Sequence, residues 1–298
     1  MTAATWGGDV SAYGDAVVAR AYDVGRPGYP DAVIDQIVEG LQLSATSRVL
    51  DVAAGTGKLT ERLVPRVGSV VAVDLVPAML EVLSRRVPSA TVLQGAAESL
   101  PCESDSFDAV TVADAFHWFE IESALAEAAR VLRPGKGMAI VKHAPLASRA
   151  PPSWLRCYRA LLERVQLHDP DVGPDLPLED PQSWHSQLLS SDRYFTVEYD
   201  GTFDQRLVQS RDAFVQHALS RAFIGGYAEP RRSEILDEIT ELLSRHQVAE
   251  IVSDYTVTVV LLRMRRASPL VADDDGKRGE EPLASRNDDA AHPPRSEP

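Results

Sequence analysis

Between Asp31 and Lys142 the chain alternates short apolar runs with segments whose apolar residues recur every three to four positions. The runs Arg48–Val52, Ser69–Asp74, Ala90–Gln94, Phe107–Ala113 and Gly137–Lys142 read as strands. Ala32–Leu41, Leu59–Val64, Pro77–Arg86 and Glu120–Leu132 carry the helical period. Asp31 caps the first of these, Pro77 suits the first turn of the third, and Arg133-Pro134-Gly135 stops the fourth. Strands apolar on both faces, alternating with helices, predict a parallel sheet covered on both sides.

After about Ala144 this rhythm breaks. Pro151–Val165 reads as a helix, as do Arg211–Arg221 and Arg231–His246, the last two separated by Gly225-Gly226. His168–Pro181 reads as a loop, Tyr194–Tyr199 as a short strand and Tyr255–Leu262 as a strong final strand. Residues 1 to about 30 form a polar and aromatic lead-in ending in GRPGYP. Residues 266–298, charged and without periodicity, read as a disordered tail.

Composition narrows the functional classes. The chain has 298 residues, 44% of them hydrophobic, enough for a sizeable core. Its net charge of −14 weighs against free nucleic acid as a partner. Cys102 and Cys157 provide neither a disulfide framework nor a metal pattern, and His143, His185, His217 and His246 lack metal-ligand spacing, so they read as structural or exposed and no metal is expected. The start of the chain lacks the basic and apolar regions of a signal peptide, and Val257–Leu262 is too short to span a bilayer. A cytoplasmic protein with no membrane contact is the expectation.

The candidate chemistry lies in VLDVAAGTGKLTERL, Val49–Leu63. A strand ends near Asp51, Gly55 and Gly57 make a tight turn, and an amphipathic segment follows, which is the opening of a nucleotide-type βαβ unit. The phosphate-binding P-loop does not fit, because Val52 stands where its first glycine belongs and Leu59 where its Ser/Thr belongs. The dinucleotide fingerprint lacks its third glycine, replaced by Thr60. Asp51, four residues ahead of Gly55, points instead to a ligand with a cationic group, such as the ammonium and sulfonium of S-adenosylmethionine. Asp74, seventeen residues beyond Gly57 at the next strand end, suits the hydroxyls of a ribose.

The same turn followed by VVAVDLVPAML, GAAESLP, SFDAVTVADAFHWF and EAARVLRPGKGMAIV, in order and at ordinary spacings, resembles the class I S-adenosylmethionine-dependent methyltransferases. YDVGRPGYP and AFHWF resemble the small-molecule branch that includes trans-aconitate methyltransferase-like proteins. The likeness is good over roughly residues 15–145. It implies a Rossmann-like, seven-stranded, mostly parallel doubly wound sheet, antiparallel only at its last strand, with a helical insertion before that strand. Residues 1–265 would form one domain: a lead-in or lid over 1–42, a cofactor-binding core over 43–145, acceptor-pocket helices and the sixth strand over 146–250, and the final strand over 251–265.

By the same resemblance Asp51, Ala53 and Gly55 would contact the methionine arm, Asp74 the ribose and Leu75 the adenine face. Ala97 and Glu98 would lie at the adenine edge and Ala113 near the sulfonium. Two departures stand out: Ala53-Ala54 where many members have a glycine, and Lys136 in place of a second glycine after Pro134. His117 reads as a general base or substrate-binding group, or as a side chain packed between Phe116 and Trp118. Tyr22, Arg26 and Tyr29 belong to the lead-in, which would close over the site, with Trp118 shaping the pocket; Arg26 would pair with a carboxylate of cofactor or substrate, or lie at the surface.

The expected reaction is methyl transfer to an oxygen, carboxylate or hydroxyl, of a small-molecule acceptor. The alternatives are a non-catalytic S-adenosylmethionine-binding regulator and a nicotinamide-dependent oxidoreductase. A nucleic-acid methyltransferase is disfavoured, because Ala113-Asp114-Ala115-Phe116 stands where an Asp/Asn-Pro-Pro-aromatic segment would be.

Overall fold

The computed structural model describes residues 10–146, 150–167, 185–186, 188 and 193–265. The expected loop at His168–Pro181 and the tail lie outside these residues. The described residues group into one compact unit.

Seven strands form one sheet: β1 (Arg48–Val52), β2 (Ser69–Asp74), β3 (Thr91–Gln94), β4 (Phe107–Ala113), β5 (Leu132–Pro145), β6 (Phe195–Ser210) and β7 (Glu250–Met264). Their order is β3-β2-β1-β4-β5-β7-β6. Strands β1 to β5 run parallel, and β7 is antiparallel to both β5 and β6. The mostly parallel sheet with a reversed last strand is therefore the one expected from the sequence.

Neighbouring residues along a strand serve opposite faces. Leu50, Val71, Val110 and Ile140 pack on one face with Leu125, Ala128 and Val131 of α5 (Ile121–Val131). Val49, Val70, Ala109 and Ala139 pack on the other with Val33, Ile34 and Ile37 of α2 (Asp31–Gly40) and with Leu63. Both faces are buried, so the strands are apolar throughout and not alternating. The strand order reverses between β1 and β4, and the crevice at their carboxyl ends is where open α/β sheets place ligands.

Several elements differ from the sequence reading. The lead-in contains a helix, α1 (Ala16–Gly25), capped by Asp15, whose carboxylate accepts from Val17 N at 2.7 Å. Its buried residues are Val18, Ala19, Ala21 and Gly25, small side chains that give little hydrophobic contrast in the sequence. The helix after the glycine turn, α3, is only Thr60–Leu63, and a 3-10 turn over Val64–Arg66 follows where Pro65 cannot donate to a continuing helix. So short a helix has little macrodipole to aim at a ligand. Helix α4 (Pro77–Arg86) is as expected.

Strands β6 and β7 are far longer than Tyr194–Tyr199 and Tyr255–Leu262. Pairing of β5 with β7 ends at Pro145↔Tyr255, but β6 and β7 continue together to Ser210↔Glu250. Strand β6 lies at the sheet edge and is exposed or half-buried from Thr196 to Val208, so Asp200, Thr202, Asp204 and Arg206 show no apolar alternation to read. The insertion comprises α6 (Ser153–Leu167) before β6 and α7 (Arg211–Leu219), α8 (Ala222–Gly225) and α9 (Arg231–Arg245) after it. These helices share their own core around Tyr158, Phe214, Ile224, Ile239 and Leu243.

Candidate active site

A cavity of about 930 Å³ opens at the carboxyl ends of β1, β2 and β4, in the upper range for small-molecule sites. It is lined by Asp51, Ala53, Gly55, Asp74, Leu75, Ala97, Glu98 and Ala113, and also by Tyr22, Arg26, Tyr29, His117 and Trp118. Every residue singled out from the sequence therefore faces one space. So do residues that sequence reasoning passed over: Tyr13, Asp114, Lys142, His143, His217, Arg221 and Tyr255.

The β1–β2 end is acidic. Asp51 is 1% exposed, and its two oxygens accept from Thr60 Oγ1 at 2.6 Å and Thr111 Oγ1 at 2.8 Å. Burial pushes its pKa up to about 6, with those two hydroxyls working in the other direction. Asp74 accepts from Gly55 N and Val76 N, both at 2.8 Å, and burial raises its pKa as well. Asp74 thus ties the glycine turn to the end of β2. The turn reaches it through left-handed backbone at Ala53 (φ 53°) and Gly55 (φ 55°). A Cβ built on Gly55 would meet nothing within 4 Å, so its backbone stands open. Beside Asp74, Leu75 leaves 52% of its surface uncovered.

The β4–β5 end is a hydrogen-bonded chain. Asp114, itself left-handed at φ 54°, accepts from Tyr29 Oη at 2.8 Å, His143 Nδ1 at 2.6 Å and His143 N at 2.7 Å. Gln205 Nε2 donates to Gly28 O at 2.9 Å, which turns its Oε1 toward His143 Nε2 at 2.8 Å. Both imidazole nitrogens of His143 face acceptors, so the ring is held as an imidazolium. Burial opposes that charge, but the Asp114 carboxylate outweighs it, and the pKa of His143 is raised. Burial likewise opposes the charge on Asp114, yet His143 holds its carboxyl well below the usual range. His143, expected to be structural or exposed, is a buried ion-pair partner in the wall of the site.

His117 differs in kind. Lys142 Nζ lies 2.9 Å from its Nδ1. An ammonium can only donate, so Nδ1 is the acceptor and the ring proton sits on Nε2. Burial, with the Lys142 charge beside it, lowers the His117 pKa to about 3. The imidazole is neutral.

The lead-in is fastened over the cavity. Arg26 donates to Ser220 Oγ at 2.8 Å and Ser220 O at 3.2 Å. Gln209 Nε2 donates to Gly25 O at 2.7 Å, and Arg86 Nη1 reaches Asp23 at 2.5 Å. Opening this segment as a lid breaks all of these bonds together with the Tyr29–Asp114 bond.

The residues fit the cofactor that the resemblance implies. Among the described residues Asp51 and Asp74 receive only hydroxyl and backbone donors, so two buried carboxylates lack a cation there. An ammonium, a sulfonium and ribose hydroxyls are the complementary groups, and Leu75 offers the flat apolar surface an adenine would cover. Among the described residues no His, Cys, Asp or Glu cluster could hold a metal ion, and no helix is long and apolar enough to cross a membrane.

Comparison with known proteins agrees with this geometry. The methyltransferase domain family matches residues 50–140. An uncharacterized methyltransferase of Mycobacterium tuberculosis is 49% identical over 129 residues, 43% of this chain and 51% of that protein. A demethylmenaquinone methyltransferase of Renibacterium salmoninarum is 38% identical over 107 residues, 36% of this chain and 45% of that protein. The chain spans about half the length of the curated relatives it matches. A solved structure from Anaeromyxobacter dehalogenans, provisionally assigned as a type II methyltransferase, superposes with a TM-score of 0.54 at 24% identity over 81% of this chain and 97% of that one, and so shares the fold. The matched segment, residues 50–140, carries the glycine turn and the paired strand-end acids Asp51 and Asp74, and over that segment the chain is similar to methyltransferase domains.

Proposed function

We propose that this protein transfers the methyl group of S-adenosylmethionine to an oxygen of a small-molecule acceptor. The observation that carries the reading is the pair of buried carboxylates, Asp51 and Asp74, at adjacent strand ends with no cationic partner among the described residues. Bound there, the cofactor supplies a methyl group already activated by a positive sulfur. The chain is left with binding, alignment and exclusion of water.

Asp51 supplies the counter-charge for the methionine ammonium, and Ala53 and Gly55 offer open backbone beside it. Asp74 accepts from the ribose with the lone pairs that Gly55 N and Val76 N leave available. Leu75, Ala97 and Glu98 border the adenine. Tyr22, Tyr29 and the rest of the lead-in roof the acceptor, and Trp118 walls it. His117 is read as a hydrogen-bond donor through Nε2, because its other nitrogen is taken by Lys142. A carboxylate acceptor needs no base at all. A walled cavity within a chain of net charge −14 favours a small molecule over nucleic acid, and two free thiols accord with the cytoplasm.

Calorimetry with S-adenosylhomocysteine tests the cofactor assignment. Replacing Asp74 by Ala should weaken binding by about 1–3 kcal/mol, the worth of two hydrogen bonds to a charged group. Tight binding of NADH without any of S-adenosylhomocysteine would overturn the reading. Isotopically labelled cofactor incubated with a metabolite extract, followed by mass spectrometry, tests turnover; cofactor binding without transfer to any acceptor would mark a non-catalytic binder.

A further inference from the structure

One wall of the cavity holds buried polar atoms that no neighbour satisfies. His217 is 8% exposed and its Nδ1 has no hydrogen-bond partner; Arg221 Nε is buried and equally unpartnered. Both residues line the cavity. Between them in sequence, Ser220 accepts from Arg26 Nε through its hydroxyl at 2.8 Å and passes its own proton to His217 O at 2.7 Å. Ser220 thereby holds the Arg26 guanidinium, and Arg221, the next residue in sequence, lines the same cavity. Arg221 bonds the Tyr158 side chain and Arg26 lies over the Tyr22 ring, but neither forms an ion pair among the described residues, although acids outnumber bases in the chain by fourteen. Elsewhere around the cavity Lys58 lies beside the Asp23 carboxylate, and the Lys142 charge acts on the Asp114 carboxylate.

A buried donor left without an acceptor is costly, and two such polar atoms face this wall. A buried guanidinium Nε–H without an acceptor, beside a second guanidinium lining the same cavity, is a donor set that a planar oxyanion completes. We infer that Arg221 and Arg26, with His217 beside them, form a subsite for an anionic group of the acceptor, a carboxylate or a phosphate. This inference rests on the methyltransferase reading given above. The anchored group is not the atom that receives the methyl, because an oxyanion held by two guanidiniums has its lone pairs engaged. The acceptor therefore carries an anion in addition to its nucleophile.

The cofactor's own carboxylate is the other source of the same chemistry. The acceptor is favoured because His217 and Arg221 sit on α7 and at the start of α8, outside residues 50–140 that the methyltransferase domain family shares. Neutral His217, kept so by burial and by the two arginines, adds a hydrogen-bonding edge without competing for the anion.

Titration calorimetry on the full chain separates the possibilities. The probes are S-adenosylhomocysteine, 5′-methylthioadenosine (which lacks the carboxylate), succinate, citrate, inorganic phosphate and neutral succinamide. With S-adenosylhomocysteine present, the wild-type protein should bind at least one anion at least tenfold more tightly than succinamide. Arg221→Gln should lose at least tenfold of that affinity while binding S-adenosylhomocysteine within twofold of wild type. Arg221→Lys, which keeps the charge but not the fork, should fall between the two and guards against misfolding of the first variant. Anion binding that is absent, or unchanged in Arg221→Gln, overturns the inference. So does a tenfold loss of S-adenosylhomocysteine affinity in Arg221→Gln with 5′-methylthioadenosine unaffected, which would assign the arginine to the cofactor. Failure of the wild-type protein to bind S-adenosylhomocysteine would overturn the methyltransferase reading itself.

Discussion

The two ends of the cavity are opposite in charge and in construction. The acidic end is built from consecutive strand ends: Asp51 is held by hydroxyls of α3 and β4, and Asp74 by amides of the turn after β1 and of Val76 just before α4. The basic end is assembled from segments far apart in sequence, with Arg26 bonded to Ser220 and Gln209 to Gly25 across almost two hundred residues. A parallel sheet fixes its strand ends by the backbone ladder, so a short motif suffices to place chemistry there. The other wall has no ladder between its parts. It depends on individual side-chain bonds and on one close backbone contact. Cofactor binding and acceptor binding should therefore respond to different mutations.

The largest effect is expected at Asp51. Its folded pKa of about 6 lies above the ordinary 3.8. A raised acid pKa favours folding where the carboxyl is protonated, so this contribution is present below about pH 3.8 and is lost as pH rises to about 6. Asp51→Asn should therefore stabilise the ligand-free protein at pH 7–8 by about 1–2 kcal/mol, part of the roughly 2–3 kcal/mol that two pKa units represent. The same change removes the counter-charge of the cofactor and should weaken S-adenosylhomocysteine binding on the order of 100-fold. In the wild-type protein that affinity should fall as pH drops below 6. A melting temperature that falls, or an affinity that survives, would remove Asp51 from this role.

Gly25 probes the other end. A Cβ there would lie 2.2 Å from His217 N and 2.4 Å from His217 Cα, both backbone atoms that cannot swing aside. Gly25→Ala should force α1 away from α7 and lower stability by about 1–3 kcal/mol, the usual cost of overpacking. KM for the acceptor should rise while S-adenosylhomocysteine binding stays within threefold. An equal loss of both affinities would show that the two ends are one mechanical unit.

His117 lies where the two ends meet, and its role separates donation from base catalysis. A general base contributes typically 10²–10⁴-fold. With Nδ1 occupied by Lys142 and the pKa near 3, His117→Gln, which keeps a donor, should lower kcat by less than about tenfold. A hundredfold loss, with a pH–rate limb that disappears, would restore the base.

This contrast also explains what could be read from the sequence. The strands β1 to β5 were legible because both faces are buried, which leaves unbroken apolar runs ending at the site. Asp51 and Asp74 were legible because they end those runs. Asp114 and His143 obey the same rule, standing at or near the carboxyl ends of β4 and β5, and the strand-end position was the signal that would have found them. Arg221 and His217 carry no such mark: they occur in an amphipathic helical stretch whose pattern reports burial but not which cavity is nearby. Helix α1 was missed because alanine and valine on its buried side give weak contrast, and the long β6 because it is an edge strand with little buried surface to pattern it.

The smallest effect is expected at Ala53, where this chain departs from the glycine of many relatives. Its φ of 53° is left-handed, a conformation that costs an L-residue roughly 1–2 kcal/mol. Glycine would remove that strain but would add conformational freedom to the unfolded chain, worth about 0.4–1 kcal/mol in the opposite direction. Ala53→Gly should therefore change stability by no more than about 1 kcal/mol, in the stabilising direction. Its effect on the site should be larger relative to that shift, because Ala53 lines the cavity and losing its methyl brings bare backbone to the ligand. S-adenosylhomocysteine should bind a few-fold more tightly while anion affinity at Arg221 does not move. A change confined to the anion end would mean that the turn couples to the opposite wall, and the division of labour between sheet and insertion would fail at its most sensitive point.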